Sequence, residues 1–186
     1  MIDIETSNTF DDVGGKENLT DLNISLVGVY SYLTNSLKSF REGGLEPLSE
    51  ILKEASLIIG FGIRRFDLPI LKASLNFNIN KIPHIDLLDE IEKNYGRRIS
   101  LDLLAKANLG VGKLSHGLEA VKFYQAGDWD SLEKYCLQDV VLTRDLYDLC
   151  QRQKYLMVPQ KFNPRPIRVD LDIKEPISED KNTLFS

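Results

Sequence analysis

Asp3 and Glu5 stand two residues apart in Met1-Ile2-Asp3-Ile4-Glu5-Thr6. Side chains alternate along a strand, so this spacing points both carboxylates to one face. Two acids side by side repel, and a divalent cation is the natural way to offset that. The pattern is common by itself and needs further acids to mean anything. Asp67 follows Gly60-Phe61-Gly62-Ile63-Arg64-Arg65-Phe66, just past an apolar strand and at the start of a helix. Sites in α/β sheets gather at such strand ends, although the plainer role for an acid there is to cap the helix. Asp139 lies on or beside a stripe formed by Leu132, Cys136, Val140 and Thr143, where an acid needs a partner. Tyr135 is one turn earlier, so its hydroxyl can lie over the same site, its plainer role being a core aromatic. Asp145 and Asp148 fall nearer the exposed side and read as solvated.

The elements that must hold these residues emerge from periodicity and punctuation. Residues 24–33 and 36–42 read as strands joined by a tight turn at Thr34-Asn35. Residues 11–21 read as a polar loop, 46–55 as a helix with Pro47 in its first turn, and 56–62 as a buried strand. A helix is expected from about Asp67 to Leu75, and a short strand over 83–88. Ser100 and Gly110 bracket a helix over 101–109, and Gly127 ends one over 117–126. Asp130 with Glu133 suggests a capping box for the longest helix, 131–153. Pro159, Pro164 and Pro166 break the chain beyond that helix, with a late strand at 167–172 and a mobile polar tail from Lys174. This is an α/β domain with a mixed sheet, antiparallel strands first and parallel strands next, flanked by helices. One domain over 1–158 is expected, followed by an extension over 159–186.

The 186 residues are 42% hydrophobic, enough for one core, and the net charge is −5. That balance disfavours non-specific nucleic-acid binding, unless some of the acids carry metal ions that invert the local field. No apolar run is long enough for a bilayer, and the start does not read as a signal peptide. Cys136 and Cys150 lie too far apart along one helix for a disulfide and read as core thiols of a cytoplasmic protein.

Asp3-x-Glu5, then Phe66-Asp67 with Pro69 after it, then Tyr135-x-x-x-Asp139 resembles the three motifs of the DEDD 3′–5′ exonuclease superfamily, with its ribonuclease H-like fold. The tyrosine four residues before the last Asp is similar to the DEDDy branch, which includes the proofreading exonuclease domains of family B DNA polymerases and stand-alone relatives. The likeness covers roughly residues 1–152 and is carried mostly by 57–71 and 135–140. It implies two Mg²⁺ or Mn²⁺ ions. Asp3 would bridge both, Glu5 and Asp139 would hold the one that activates water, Asp67 would support the other, and Tyr135 would orient the water. Hard carboxylate oxygens suit those ions. A phenol with a pKa of ~10 is a poor sole base, so the hydroxyl mainly positions. The substrate implied is a single-stranded DNA or RNA 3′ end, more readily DNA. Replication or repair proteins are the implied partners, and a monomer is expected.

Two departures from the family pattern stand out. Gly62 occupies a position where such proteins usually carry Asn. Only Met1 and Ile2 precede the first Asp, so a short, weakly anchored first strand is expected. Thr6, Gly62, Arg64, Arg65, Phe66 and His116 are candidate substrate contacts. Arg64, Arg65, Arg97, Arg98 and Lys113 are scattered cations, so salt-sensitive binding should be modest. Asp86 reads as structural or supporting. Trp129, Phe123 and Tyr124 read as core packing. The rival readings are a catalytically impaired nucleic-acid-binding or scaffolding domain that keeps the fold, and an exoribonuclease.

Overall fold

The computed structural model describes residues 1–111, 118–161 and 163–176. It opens with β1 (Ile2–Thr6), followed after a loop containing a 3-10 turn (Lys16–Asp21) by β2 (Ile24–Ser31) and β3 (Ser36–Arg41). β1 and β3 both pair antiparallel to β2, with Asp3 opposite Gly28 and Glu5 opposite Leu26. α1 (Glu46–Glu54) leads to β4 (Ile58–Gly60), α2 (Asp67–Ser74) and β5 (His84–Asp86). β4 and β5 pair in parallel. Then come α3 (Leu87–Tyr95), α4 (Leu101–Leu109), α5 (Leu118–Gln125) and the long α6 (Trp129–Gln153), and a hairpin of β6 (Tyr155–Gln160) and β7 (Asn163–Asp170) closes the fold.

The chain forms three layers because its strands are apolar on both sides. On one face Ile2, Ile4, Val27, Val29 and Ile58 pack with Leu48 and Leu52 of α1 and Leu68, Ile70 and Leu71 of α2. On the other, Ile59 and Ile85 meet Leu87 and Ile91 of α3, Leu101 and Leu104 of α4, and Val140, Leu142 and Leu146 of α6. Asp3 and Glu5 alternate with the buried Ile2, Ile4 and Thr6, so both face the α6 side.

Gly28 sets how closely α6 lies on the sheet. A Cβ there would stand 2.9 Å from both Cys136 Sγ and Val140 Cγ2, closer than real Cβ contacts come. Gly28→Ala is therefore expected to overpack this contact at a cost of about 1–3 kcal/mol, lowering the melting temperature by roughly 2–12 °C. Thermal unfolding of the variant tests this, and an unchanged melting temperature would show that α6 yields freely.

Several expectations need correction. The first strand is not weakly anchored. Met1 and Ile2 are buried, the Met1 amine donates to Tyr30 O at 2.7 Å, and Tyr30 N donates back to Met1 O at 3.0 Å. Burial pushes that amine down to about 6. The long helix starts two residues earlier than expected, and its cap is Asp128, which accepts from Ser131 N at 3.1 Å, not Asp130. The strand expected over 83–88 stops at Asp86 and turns directly into α3. The prolines do not end the structure after α6. Pro159 sits at a register shift between Val158 and Gln160, where a ladder tolerates a residue without an N–H. The late strand spans Asn163–Asp170, and the expected boundary at 158/159 falls inside β6. Leu156, Val158, Val169, Leu171 and Ile173 all join the core around α6. The polar tail expected to be mobile from Lys174 is tied down at Glu175, which accepts from Tyr147 Oη at 2.9 Å; from Ile177 onward that expectation lies outside the described residues. Cys136 and Cys150 are free and buried, as expected.

Candidate active site

The apolar run Leu57–Ile59 drives β4 into the centre of the fold, and the chain then leaves the strand through Phe61–Phe66. That loop is held by one fully buried carboxylate. Asp86 accepts from Gly62 N at 2.7 Å and Arg64 N at 2.9 Å. The same side chain caps α3 by accepting from Leu88 N at 3.0 Å and Asp89 N at 3.3 Å. It therefore ties the end of β4 to the end of β5 and aims the start of α2.

Asp67, the first residue of α2, does not cap it; the capping position is Phe66, without a side-chain bond. Its carboxylate reaches sideways to β1 and accepts from Ile4 N at 3.1 Å, between Asp3 and Glu5. The second acidic motif is thus joined to the first through the backbone of β1. Burial pushes the Asp67 acid up to about 7, reinforced by Asp86 and Asp139 and opposed by the amides of Asp67 and Ile4.

On the other side α6 presents Tyr135, Cys136 and Asp139, all buried. Asp3, Glu5, Asp67, Tyr135 and Asp139 line one cleft of about 450 Å³, with Thr6, Phe10, Phe61, Gly62, Phe66, Leu88 and Arg98. Burial, reinforced by the charges of Glu5, Asp139 and Asp3, pushes the Tyr135 hydroxyl up from the ordinary phenol value.

Asp3, Glu5 and Cys136 offer ligand atoms within 4.8 Å of one another, close enough to share one cation. Sequence reasoning missed the thiol, which lies 3.7 Å from Asp3 Oδ2. Burial and the neighbouring Asp3, Glu5 and Asp139 push it well above its usual range, so it stays a neutral donor toward Asp3. The donor set is then oxygen-rich and suits a hard divalent ion, with Asp67 and Asp139 as further carboxylates lining the same cleft.

The substrate candidates divide. Thr6 lines the cleft while its hydroxyl donates to Asn8 O at 2.9 Å. Phe66 lines it and meets Phe10 edge to face at 6.1 Å. Gly62 lines it with φ +83, a backbone conformation that glycine adopts freely and asparagine tolerates better than most residues. Arg64 and Arg65 are not among the lining residues; they pair with Asp89 at 3.5 Å and Glu92 at 3.0 Å. Arg97 turns back on Tyr95. Lys113 and His116 lie outside the described residues. Trp129, Phe123 and Tyr124 pack beside Leu26 and Leu132, as expected.

No helix among the described residues is long and apolar enough to cross a membrane. Comparison with curated proteins finds no match. A sequence model of the RNase_H superfamily matches residues 1–151. With its antiparallel strands, parallel pair and flanking helices around an acidic cleft, the chain belongs to the RNase_H superfamily and has the ribonuclease H-like fold of a nuclease-type hydrolase.

Proposed function

We propose that this chain is a metal-dependent 3′–5′ exonuclease of the DEDDy type. Its substrate is a single-stranded end, more readily DNA than RNA, and its products are nucleoside monophosphates. The observation that carries this reading is the meeting of Asp3, Glu5, Asp67 and Asp139, from three distant segments, around one cleft with Tyr135. Four carboxylates gathered so closely disfavour an anionic substrate unless cations offset them. Asp3, Glu5, Asp67 and Asp139 would hold two Mg²⁺ or Mn²⁺ ions. Such ions supply a more acidic water and stabilise charge on both the attacking and the leaving oxygen.

The chain's own residues do the rest. Tyr135, protonated and beside Glu5 and Asp139, donates a hydrogen bond that orients the attacking water. The oxygen of water bonds to phosphorus as the water loses one proton to solvent, the bond to the preceding nucleotide's 3′ oxygen breaks, that oxygen takes one proton from solvent, and a nucleoside 5′-monophosphate leaves. Phe66, on the cleft wall, offers a face to the terminal base without reading its identity.

A nuclease assay tests the proposal directly. With 5′-labelled single-stranded DNA and RNA and Mn²⁺, a ladder shortening from the 3′ end is expected, faster on DNA. Tyr135→Phe is expected to lower kcat by up to about 100-fold without abolishing it, because it removes orientation and leaves the carboxylates. Cuts confined to the interior of the strand, or none at all, would refute the exonuclease reading.

A further inference from the structure

The cleft is lined by four carboxylates, and a single-stranded end carries a phosphate at every nucleotide. Charge at the reacting phosphorus is offset by the two proposed ions. The adjacent phosphates need a cation from the protein. Among the described residues, Arg98 is the one lysine or arginine that lines the cleft.

Two features aim it. Its Nη1 is held by Glu92 at 2.9 Å and by Asp89 at 3.5 Å, both on α3. Its Nη2 lies only 3.6 Å from where a Cβ on Gly62 would stand, so the guanidinium leans over a residue with no side chain to cover it. The Gly62 amide is in turn fixed by Asp86. Arg64 and Arg65 share the same two acids of α3 but do not line the cleft, and their side chains are 42% and 62% exposed against 34% for Arg98.

We infer that Arg98 grips a substrate backbone phosphate, and that the bare Gly62 gives its guanidinium the room to do so. The inference rests on the nuclease reading. A guanidinium already anchored through one nitrogen loses little freedom when the other meets a phosphate, and its planar fork fits phosphate oxygens. Arg98 is a binding residue, so its effect belongs in KM and in salt dependence rather than in the chemical step.

Steady-state hydrolysis of a 5′-labelled oligodeoxythymidylate with Mn²⁺, at several KCl concentrations, tests this. Arg98→Ala is expected to raise KM by about 10- to 100-fold, the range a charge-assisted hydrogen bond supports, with kcat little changed. The slope of log(kcat/KM) against log[KCl] should become shallower by about 0.7, one phosphate contact on a single strand. Arg98→Lys should restore the slope and only part of the KM. If Arg98→Ala lowers only the melting temperature, leaving KM and the salt slope at wild-type values, Arg98 is a structural partner of α3 and the inference fails while the nuclease reading stands. A wild-type protein that cleaves no oligonucleotide overturns both.

Discussion

Asp139→Asn is expected to abolish hydrolysis while leaving the metal-free fold as stable as before or more so. Asp139 is 5% exposed and lines the cleft with three other carboxylates. Its charge is one cause of the upward shift of the Asp67 acid, so in the absence of metal the two oppose each other. Asparagine keeps the volume and removes the charge, which relieves that repulsion without opening a cavity. The same change weakens the cation site and the activation of water. A loss of at least about 10³-fold in kcat is expected, equivalent to ~4 kcal/mol of transition-state stabilisation. Metal-linked stability provides an independent reading. A divalent ion at 100 times its dissociation constant adds ~2.7 kcal/mol, or roughly 5–10 °C of melting temperature for a chain of this size. Mn²⁺ should raise the wild-type midpoint by that order and shift Asp139→Asn far less. Full activity in the variant would sink the assignment of Asp139 to the reaction. An equal Mn²⁺ shift in both proteins would remove it from the cation site.

The catalytic candidates are legible in the sequence because residue type and local punctuation carry them. Asp3 and Glu5 announce themselves by strand alternation, Asp67 by its place after an apolar run, and Asp139 by its place beside a buried helical stripe. Each of these signals is local. The residues that hold them together act at a distance: Asp86 reads in the sequence as structural or supporting, and the fold bears that out, but the groups it holds are not visible there. Asp86 matters because it reaches amides 22 and 24 positions away, a relation no window of sequence displays. Arg98 is one of several scattered cations in the sequence, and only the fold, which puts it on the cleft wall and leaves Arg64 and Arg65 off it, singles it out. Cys136 reads as a core thiol and is one, yet the absent side chain at Gly28 brings it against Asp3. The same distinction explains the missed elements. α3 begins on the residue after β5 with no intervening loop, so the strand pattern runs on into it. β6 is interrupted by Pro159 and gains its stability from Leu156 and Val158 packing against α6, which outweighs the local breaker.

Asp86→Ala is expected to be the most destabilising single substitution near the cleft, and its loss of activity should differ in kind from that of Asp139→Asn. Four backbone amides donate to this carboxylate, which is 0% exposed. Alanine leaves the Gly62 and Arg64 amides without their acceptor and removes the cap of α3, which together cost about 3–5 kcal/mol. For a chain of this length that corresponds to a fall of roughly 6–20 °C in melting temperature. The damage should spread from β5 to the Phe61–Phe66 loop, and from there to the Asp67 carboxylate and its bond to β1. Asp86→Asn is the sharper probe. It keeps the size of the side chain but replaces one acceptor oxygen with an NH₂ that faces donors on either side, so it should recover only part of the loss. Because Asp86 positions residues instead of meeting the substrate, its variants should retain measurable hydrolysis at temperatures well below their own midpoints, with intact dependence on Mn²⁺. Asp139→Asn should stay inactive at every temperature. If Asp86→Ala melts like the wild type yet is catalytically dead when cold, Asp86 belongs to the reacting groups, and an architecture with one buried acid holding the strand ends and four others facing the substrate is wrong at that point.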